Sequence, residues 1–256
     1  MLRLILTCFL VLSLFQLKAG TNDSTLSVLT YNINYGAFSS KSVTALRSFD
    51  ADVVCLQETN EAWEKVLRSV CKEYPYIVFR NRGAAGGQAI LSKYPIADTT
   101  FLTTTHGWFE AGIYTVTTPK GNVQLLNVHL KPPISEKGRI GFLGSAFFKS
   151  KKIRKREIEQ HYKSINSSLP LIVTGDFNEN DKGKAIKWLR KQHLTDALPL
   201  FDKKSHTWHW KTRFIHLKGR YDKVVFSKHF TCKGAQVKHQ GQSDHYPVFG
   251  KLHWNK

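Results

Sequence analysis

Apolar residues along this chain come in short runs, and most of these runs stop at an amide, a carboxylate or a histidine. Leu26–Ile33 alternates as a strand and ends among Asn32, Asn34 and Gly36; Asp52–Leu56 is a buried strand ending at Gln57 and Glu58. Ile113–Thr118 and Asn122–His129 read as a hairpin over Pro119-Lys120-Gly121-Asn122, and its second strand stops at His129 before Pro132-Pro133. Further strands are predicted at 76–79, 88–92, 207–210, 221–226, 236–239 and 248–253. Helical spacing appears at 41–49, at 61–70 with Ala62, Trp63, Val66, Leu67 and Val70, at 149–165 and at 182–192. Strands and helices alternate without a repeat or a linker, which predicts one mixed α/β domain.

The stretch with the most chemistry is Leu171–Asn180, LIVTGDFNEN. A buried strand runs into Gly175, which lets the backbone turn or approach closely, and then into Asp176 and Asn178. Two residues apart in extended chain, those side chains share a direction. A carboxylate beside an amide at a strand end suits a hard cation or a phosphoryl oxygen, though an Asx-rich turn reads the same way. The other strand ends supply Asn32, Glu58, His129 and the pair Asp244-His245, while Asp222 opens the strand KVVF instead of closing one. Taken singly, Glu58 reads equally as a helix cap, His129 as a core histidine and Asp222 as a turn residue. Together, polar residues from distant segments at one sheet edge make an active site.

Composition adds a leader and a charge. Arg3, the apolar Leu4–Phe15 and Leu17-Lys18-Ala19 form the three parts of a secretory signal over residues 1–19, leaving 20–256 as the domain and a secreted or periplasmic destination. Removing the leader takes two bases and no acid, so the net charge goes from +19 to +17. Such an excess favours nucleic acid or an anionic membrane surface. Of four cysteines, Cys8 goes with the leader, Cys55 reads as a core thiol, and pairing of Cys71 with Cys232 is left open. Asn22 and Asn166 head glycosylation sequons.

The blocks TYNINYG, DVVCLQE, GGQAILSKYPI, NVHL, VTGDFNEN, HTWHW, GRYDKVVFS and SDHYPV occur in the order found in the endonuclease/exonuclease/phosphatase superfamily, which the chain resembles from Leu26 onward. That group includes DNase I, apurinic endonucleases, neutral sphingomyelinases and inositol-polyphosphate phosphatases. The resemblance implies a DNase I-like α/β fold: a four-layer sandwich of two packed mixed β-sheets flanked by helices. It implies a metal site at Glu58 with Asn32, supported by Asp244 and suited to Mg²⁺, with Mn²⁺ or Ca²⁺ as alternatives. His245 resembles the general base, oriented by Asp222, although Asp176 is given that proton in some accounts. Asp176 and Asn178 would orient the water, and His129 matches the residue at the leaving oxygen. Two departures stand out. The segment FRNRGAAGGQ has no acid to orient His129, and Asn34 is an amide where some members carry an acid.

The substrate is argued from the residues alone. The basic run 149–156 nominates Lys151, Lys152, Arg154, Lys155 and Arg156 as contacts to a nucleic-acid backbone, by a protein expected to be a monomer. Trp208 and Trp210 interleave with His206 and His209, although the family pattern makes these tryptophans core. The glycine-apolar stretch 138–148 beside the basic run suits a membrane surface instead. The expectations are therefore an endonuclease first, a sphingomyelinase-like or other phosphoester hydrolase second, and an inactive polyanion-binding scaffold third.

Overall fold

The computed structural model describes residues 24–133 and 145–255. The signal-like leader, Asn22 and the glycine-apolar stretch with its phenylalanines fall outside the described residues and side chains. In chain order the strands are β1 (Thr25–Asn32), β2 (Val53–Gln57), β3 (Tyr76–Arg80), β4 (Gln88–Ser92), β5 (Ile96–Leu102), β6 (Ala111–Thr118), β7 (Gly121–His129), β8 (Leu171–Asp176), β9 (Thr195–Asp196), β10 (Trp208–Lys211), β11 (His216–Gly219), β12 (Asp222–Phe226), β13 (Phe230–Val237) and β14 (Val248–Trp254). The helices are α1 (Ser40–Arg47), α2 (Glu61–Val70), α3 (Ser145–Tyr162), α4 (Lys184–Lys191) and α5 (Leu198–Phe201).

Two six-stranded mixed sheets form, ordered β13-β14-β1-β2-β4-β3 and β5-β6-β7-β8-β12-β9. Because side chains alternate along a strand, neighbours on one strand serve different layers. Val28, Cys55, Leu125 and Ile172 fill the core between the sheets. Leu29, Val54 and Leu56 turn outward to Leu46, Trp63 and Leu67 of α1 and α2. On the other side Leu126 and Val173 meet Ile158, Ile186 and Leu189 of α3 and α4. Strands buried on both faces explain the unbroken apolar runs, and four layers result.

The topology also decides where the strand ends meet. β1 and β2 are parallel through α1, β7 and β8 are parallel through α3, and in register Asn32 lies beside Gln57 and His129 beside Asp176. β12 runs antiparallel to β8 with Asp222 opposite Asp176, so an acid that opens a strand reaches the same edge as those that close one. Gly175 is required here: at φ +131° its missing side chain leaves room for the Val128 carbonyl.

The structure moves one predicted strand, adds one that was not predicted and closes one open question. β5 carries no apolar run because it is a half-exposed edge strand. The last edge strand lies earlier than the alternation placed it, since β13 has an irregularity between Cys232 and Gly234 that breaks the two-residue period. Cys71 and Cys232 are buried free thiols, so the open pairing is not made.

Candidate active site

At the edge where these strands end, a cavity of about 300 Å³ is lined by Glu58, His129, Asp176, Asn178, Asp244 and His245 among its polar groups. Asp176 is the hub. Its Oδ2 stands 3.6 Å from Nε2 of both His129 and His245, and it accepts hydrogen bonds from Nδ2 of Asn32 (3.3 Å) and of Asn178 (3.2 Å). Oδ1 accepts the Asn178 backbone N–H at 2.8 Å. Burial raises the Asp176 pKa, against the pull of His245.

Asp222 holds His245 by Nδ1, at 2.9 and 3.0 Å to its two oxygens. Burial alone would make this imidazole a weaker base. The charges of Asp222 and Asp176 overcome it and lift the pKa to about 10. Asp222 is itself seated through its backbone N–H, which donates to the Thr207 hydroxyl.

His129 has no carboxylate behind it. Its Nδ1 meets the Ala85 carbonyl at 3.2 Å, which fills the role that the missing acid left open, and Phe109 stacks on the ring at 4.1 Å and 15°. Burial drives its pKa down to about 4 despite Asp176. Neither Phe109 nor Trp108 was nominated from sequence. Their one signal is an aromatic pair, Trp108-Phe109, in an otherwise polar loop. Glu157 on α3 fixes that loop: Oε2 accepts the Lys131 N–H, and Oε1 fills the space a side chain at Gly107 would need. Lys131 in turn places Nζ 3.4 Å over the Trp108 ring.

The residues expected to hold a metal adjoin this cluster, with Glu58 Oε1 standing 3.9 Å from Nε2 of His129. Glu58 accepts from Asn32 Nδ2 at 3.0 Å, and Asp244 accepts from Asn34 Nδ2 (3.1 Å) and Trp208 Nε1 (3.0 Å). Among the described residues neither carboxylate has a lysine or arginine at ion-pair distance, so two acids share a cavity without a permanent counter-charge. Burial raises the Glu58 pKa, and Asp244 adds to it. This hard oxygen set fits a divalent cation. A second grouping, Asp176, Asp222 and His245, brings one ligand atom each within 4.8 Å of the others. Backbone strain concentrates here as well: Asn34, Glu58, Ala84 and Asn178 all have positive φ.

The basic run behaves differently from expectation. Arg154 is 1% exposed, donates to the Lys131 carbonyl at 2.9 Å and pairs with Glu179 at 3.4 Å, so it cannot contact a substrate backbone. It falls on the face of α3 that carries buried Ile158 and His161. Lys152 and Arg156, two residues to either side, project to the opposite, solvent face, and Lys155 pairs with Glu159. The tryptophans expected as core stand at the cavity instead: Trp208 and Trp210 both line it.

Residues 29–245 match the model of the Endonuclease/Exonuclease/phosphatase family. No curated protein matches the chain in sequence. Among solved structures, an endonuclease/exonuclease/phosphatase from Beutenbergia cavernae is similar with a TM-score of 0.70 at 17% identity, over 90% of this chain and 72% of that one. Danio rerio TDP2 complexed with single strand DNA product has a TM-score of 0.69 at 17% identity, over 90% and 100%. A family protein from Bacteroides thetaiotaomicron has a TM-score of 0.69 at 19% identity, over 92% and 100%. At these identities the likeness is one of fold.

Proposed function

Since the chain belongs to the endonuclease/exonuclease/phosphatase family of metal-dependent phosphoric ester hydrolases, we propose that it is a secreted, Mg²⁺-dependent nuclease cutting nucleic-acid phosphodiester bonds. One observation carries the choice of substrate. Above the polar floor the cavity walls are aromatic, with Trp108, Phe109, Trp208, Trp210 and Tyr221, and Trp108 and Trp210 remain partly exposed at 39% and 36%. Planar rings beside a phosphate-handling floor suit unpaired bases, which stack on aromatic faces whatever their sequence. A net charge of +19, or +17 without the leader, favours the same polyanion.

The residues divide the chemistry. A water seated against Nε2 of His245 and Oδ2 of Asp176 touches both members of a pair 3.6 Å apart. The Asp222 and Asp176 charges favour the protonated form of His245, which leaves Asp176 as the acceptor, the alternative named on sequence grounds, and its burial makes it a stronger base. His245, clamped by Asp222, supplies positive charge to a phosphoryl oxygen. Asn178, whose Nδ2 also reaches the Leu130 carbonyl at 2.9 Å, fixes the carboxylate. His129 faces the leaving oxygen. Glu58 and Asp244, with Asn32, would hold Mg²⁺ (Mn²⁺ or Ca²⁺ fit the same oxygens). A bound cation there supplies charge neutralisation at the phosphoryl group.

A second reading rests on the β10–β11 hairpin. Its tip exposes Phe214 at 86% and Ile215 at 52% between Lys211, Arg213 and Lys218, an arrangement suited to an anionic lipid surface and hence to a phospholipid substrate. The test sets plasmid DNA, RNA and sphingomyelin liposomes in parallel, with Mg²⁺ and with EDTA. Cutting of nucleic acid that EDTA abolishes is the expected result. Hydrolysis of liposomes alone would transfer the assignment to phospholipid, and no hydrolysis of any would leave a polyanion-binding scaffold.

A further inference from the structure

Beside the active-site cavity lies a larger cleft of about 620 Å³ between α3 and the segment joining β8 to α4, and the two share Pro133, Asn178 and Tyr221 as a common wall. The geometry points to this cleft as a second subsite, binding backbone phosphates of a nucleic-acid chain whose scissile bond sits in the cavity. This rests on the nuclease reading and extends it from a diester to a polymer.

Six cationic and two acidic side chains line the cleft, and both acids are already engaged. Asp181 takes Lys223 Nζ at 2.7 Å and Arg220 Nε at 3.1 Å. Glu179 takes Arg154 at 3.4 Å and accepts the backbone N–H groups of Lys184 (3.1 Å) and Ile186 (3.0 Å). The start of α4 is thus capped by the protein's own carboxylate, and the anion-attracting groups are side chains. Gly183 packs so tightly on Glu179 that a side chain there would overlap the carboxylate, which holds the segment in place.

What remains is Lys182, Lys184 and Lys187. All three are exposed, and none makes an ion pair among the described residues. Lys184 and Lys187 are three apart on α4 and share a face. Lys151 of α3 lines the same cleft from the other side. A phosphate placed in the cleft meets several positive charges and displaces their counterions. Several such point charges in a groove that runs on from an active site recognise repeated phosphates without reading bases.

The experiment compares wild type, the triple variant Lys182→Ala/Lys184→Ala/Lys187→Ala, and Lys152→Ala/Arg156→Ala on the outward face of α3. Binding of a long single-stranded oligonucleotide is followed by fluorescence anisotropy in EDTA across salt. Hydrolysis of that oligonucleotide, a dinucleotide and bis(p-nitrophenyl) phosphate is followed with Mg²⁺. The triple variant should bind the oligonucleotide about tenfold or more weakly, with a log–log salt slope flatter by about 0.7 per lost contact. Its hydrolysis of the dinucleotide and the small diester should match wild type. Wild-type affinity and slope in the triple variant, or an equal loss in the Lys152/Arg156 variant, would overturn the subsite. Absence of oligonucleotide hydrolysis by wild type would count against the nuclease reading, while the binding comparison still decides the cleft.

Discussion

The two histidines of the cavity sit in equivalent positions and behave as opposites. His129 and His245 are buried to 8% and 5% exposure, and each stands 3.6 Å from the same oxygen of Asp176. Yet the pKa of one falls to about 4 and that of the other rises to about 10. The difference lies behind the rings. His245 backs onto the Asp222 carboxylate, whereas His129 backs onto the neutral Ala85 carbonyl beneath Phe109. Burial penalises the cation in both places, and only a buried negative charge in direct contact outweighs it. One fold edge thereby holds a cationic and a neutral imidazole around one carboxylate, which is a division of labour a hydrolase needs.

Removing that negative charge should have the largest effect. His245→Ala and Asp222→Ala are each expected to lower kcat on the order of 10³-fold. The double variant should be little worse than the worse single, because both act through one bond. Losses that multiply would show two independent contributions. In Asp222→Asn the His245 pKa, followed by NMR, should drop toward that of His129; its stability contribution, present below about 6.5 in wild type and lost as pH rises through about 10, should vanish with it.

The His129 side is probed through Glu58, whose Oε1 lies 3.9 Å from Nε2 of that ring. Glu58→Gln keeps the shape and the Asn32 contact but removes a charge that would hold the cation. Activity should fall about 100-fold and recover in part as Mg²⁺ is raised. A loss indifferent to Mg²⁺ concentration would assign Glu58 to shaping the cavity.

The smallest effect sharpens the comparison without touching a charge. Phe109→Ala admits water to His129, so its pKa should climb from about 4 toward the ordinary 6.5, with kcat/KM reduced roughly tenfold. A ring that keeps its low value in this variant would mean that the β-sheet, and not Phe109, excludes the water.

The strand-end residues were legible in the sequence because local rules govern them. An apolar run marks a buried strand, and the polar residue that ends it must lie at the sheet's edge, so Asn32, Glu58, His129 and Asp176 were available from periodicity alone. The sandwich and the family followed from block order, and the family match over 29–245 and the two packed sheets agree with both. Asp222 was available as an acid beside a strand, but only antiparallel pairing with β8 carries it to the edge.

Other features belong to tertiary structure, because they depend on which surface of an element meets another. Arg154 sits in a run of bases that reads as one charged patch, and helix rotation alone decides that its head is buried against Glu179 while Lys152 and Arg156 face water. Trp208 and Trp210 are aromatic in any reading; their place on a cavity wall follows from where β10 lands beside Asp244. The partner of His129 is a main-chain carbonyl, a group every residue possesses, so no residue type could announce it. Sequence names the side chains that a site can use. Packing between segments far apart in the chain, as where Asn32 meets Asp176, sets the charge each one carries there.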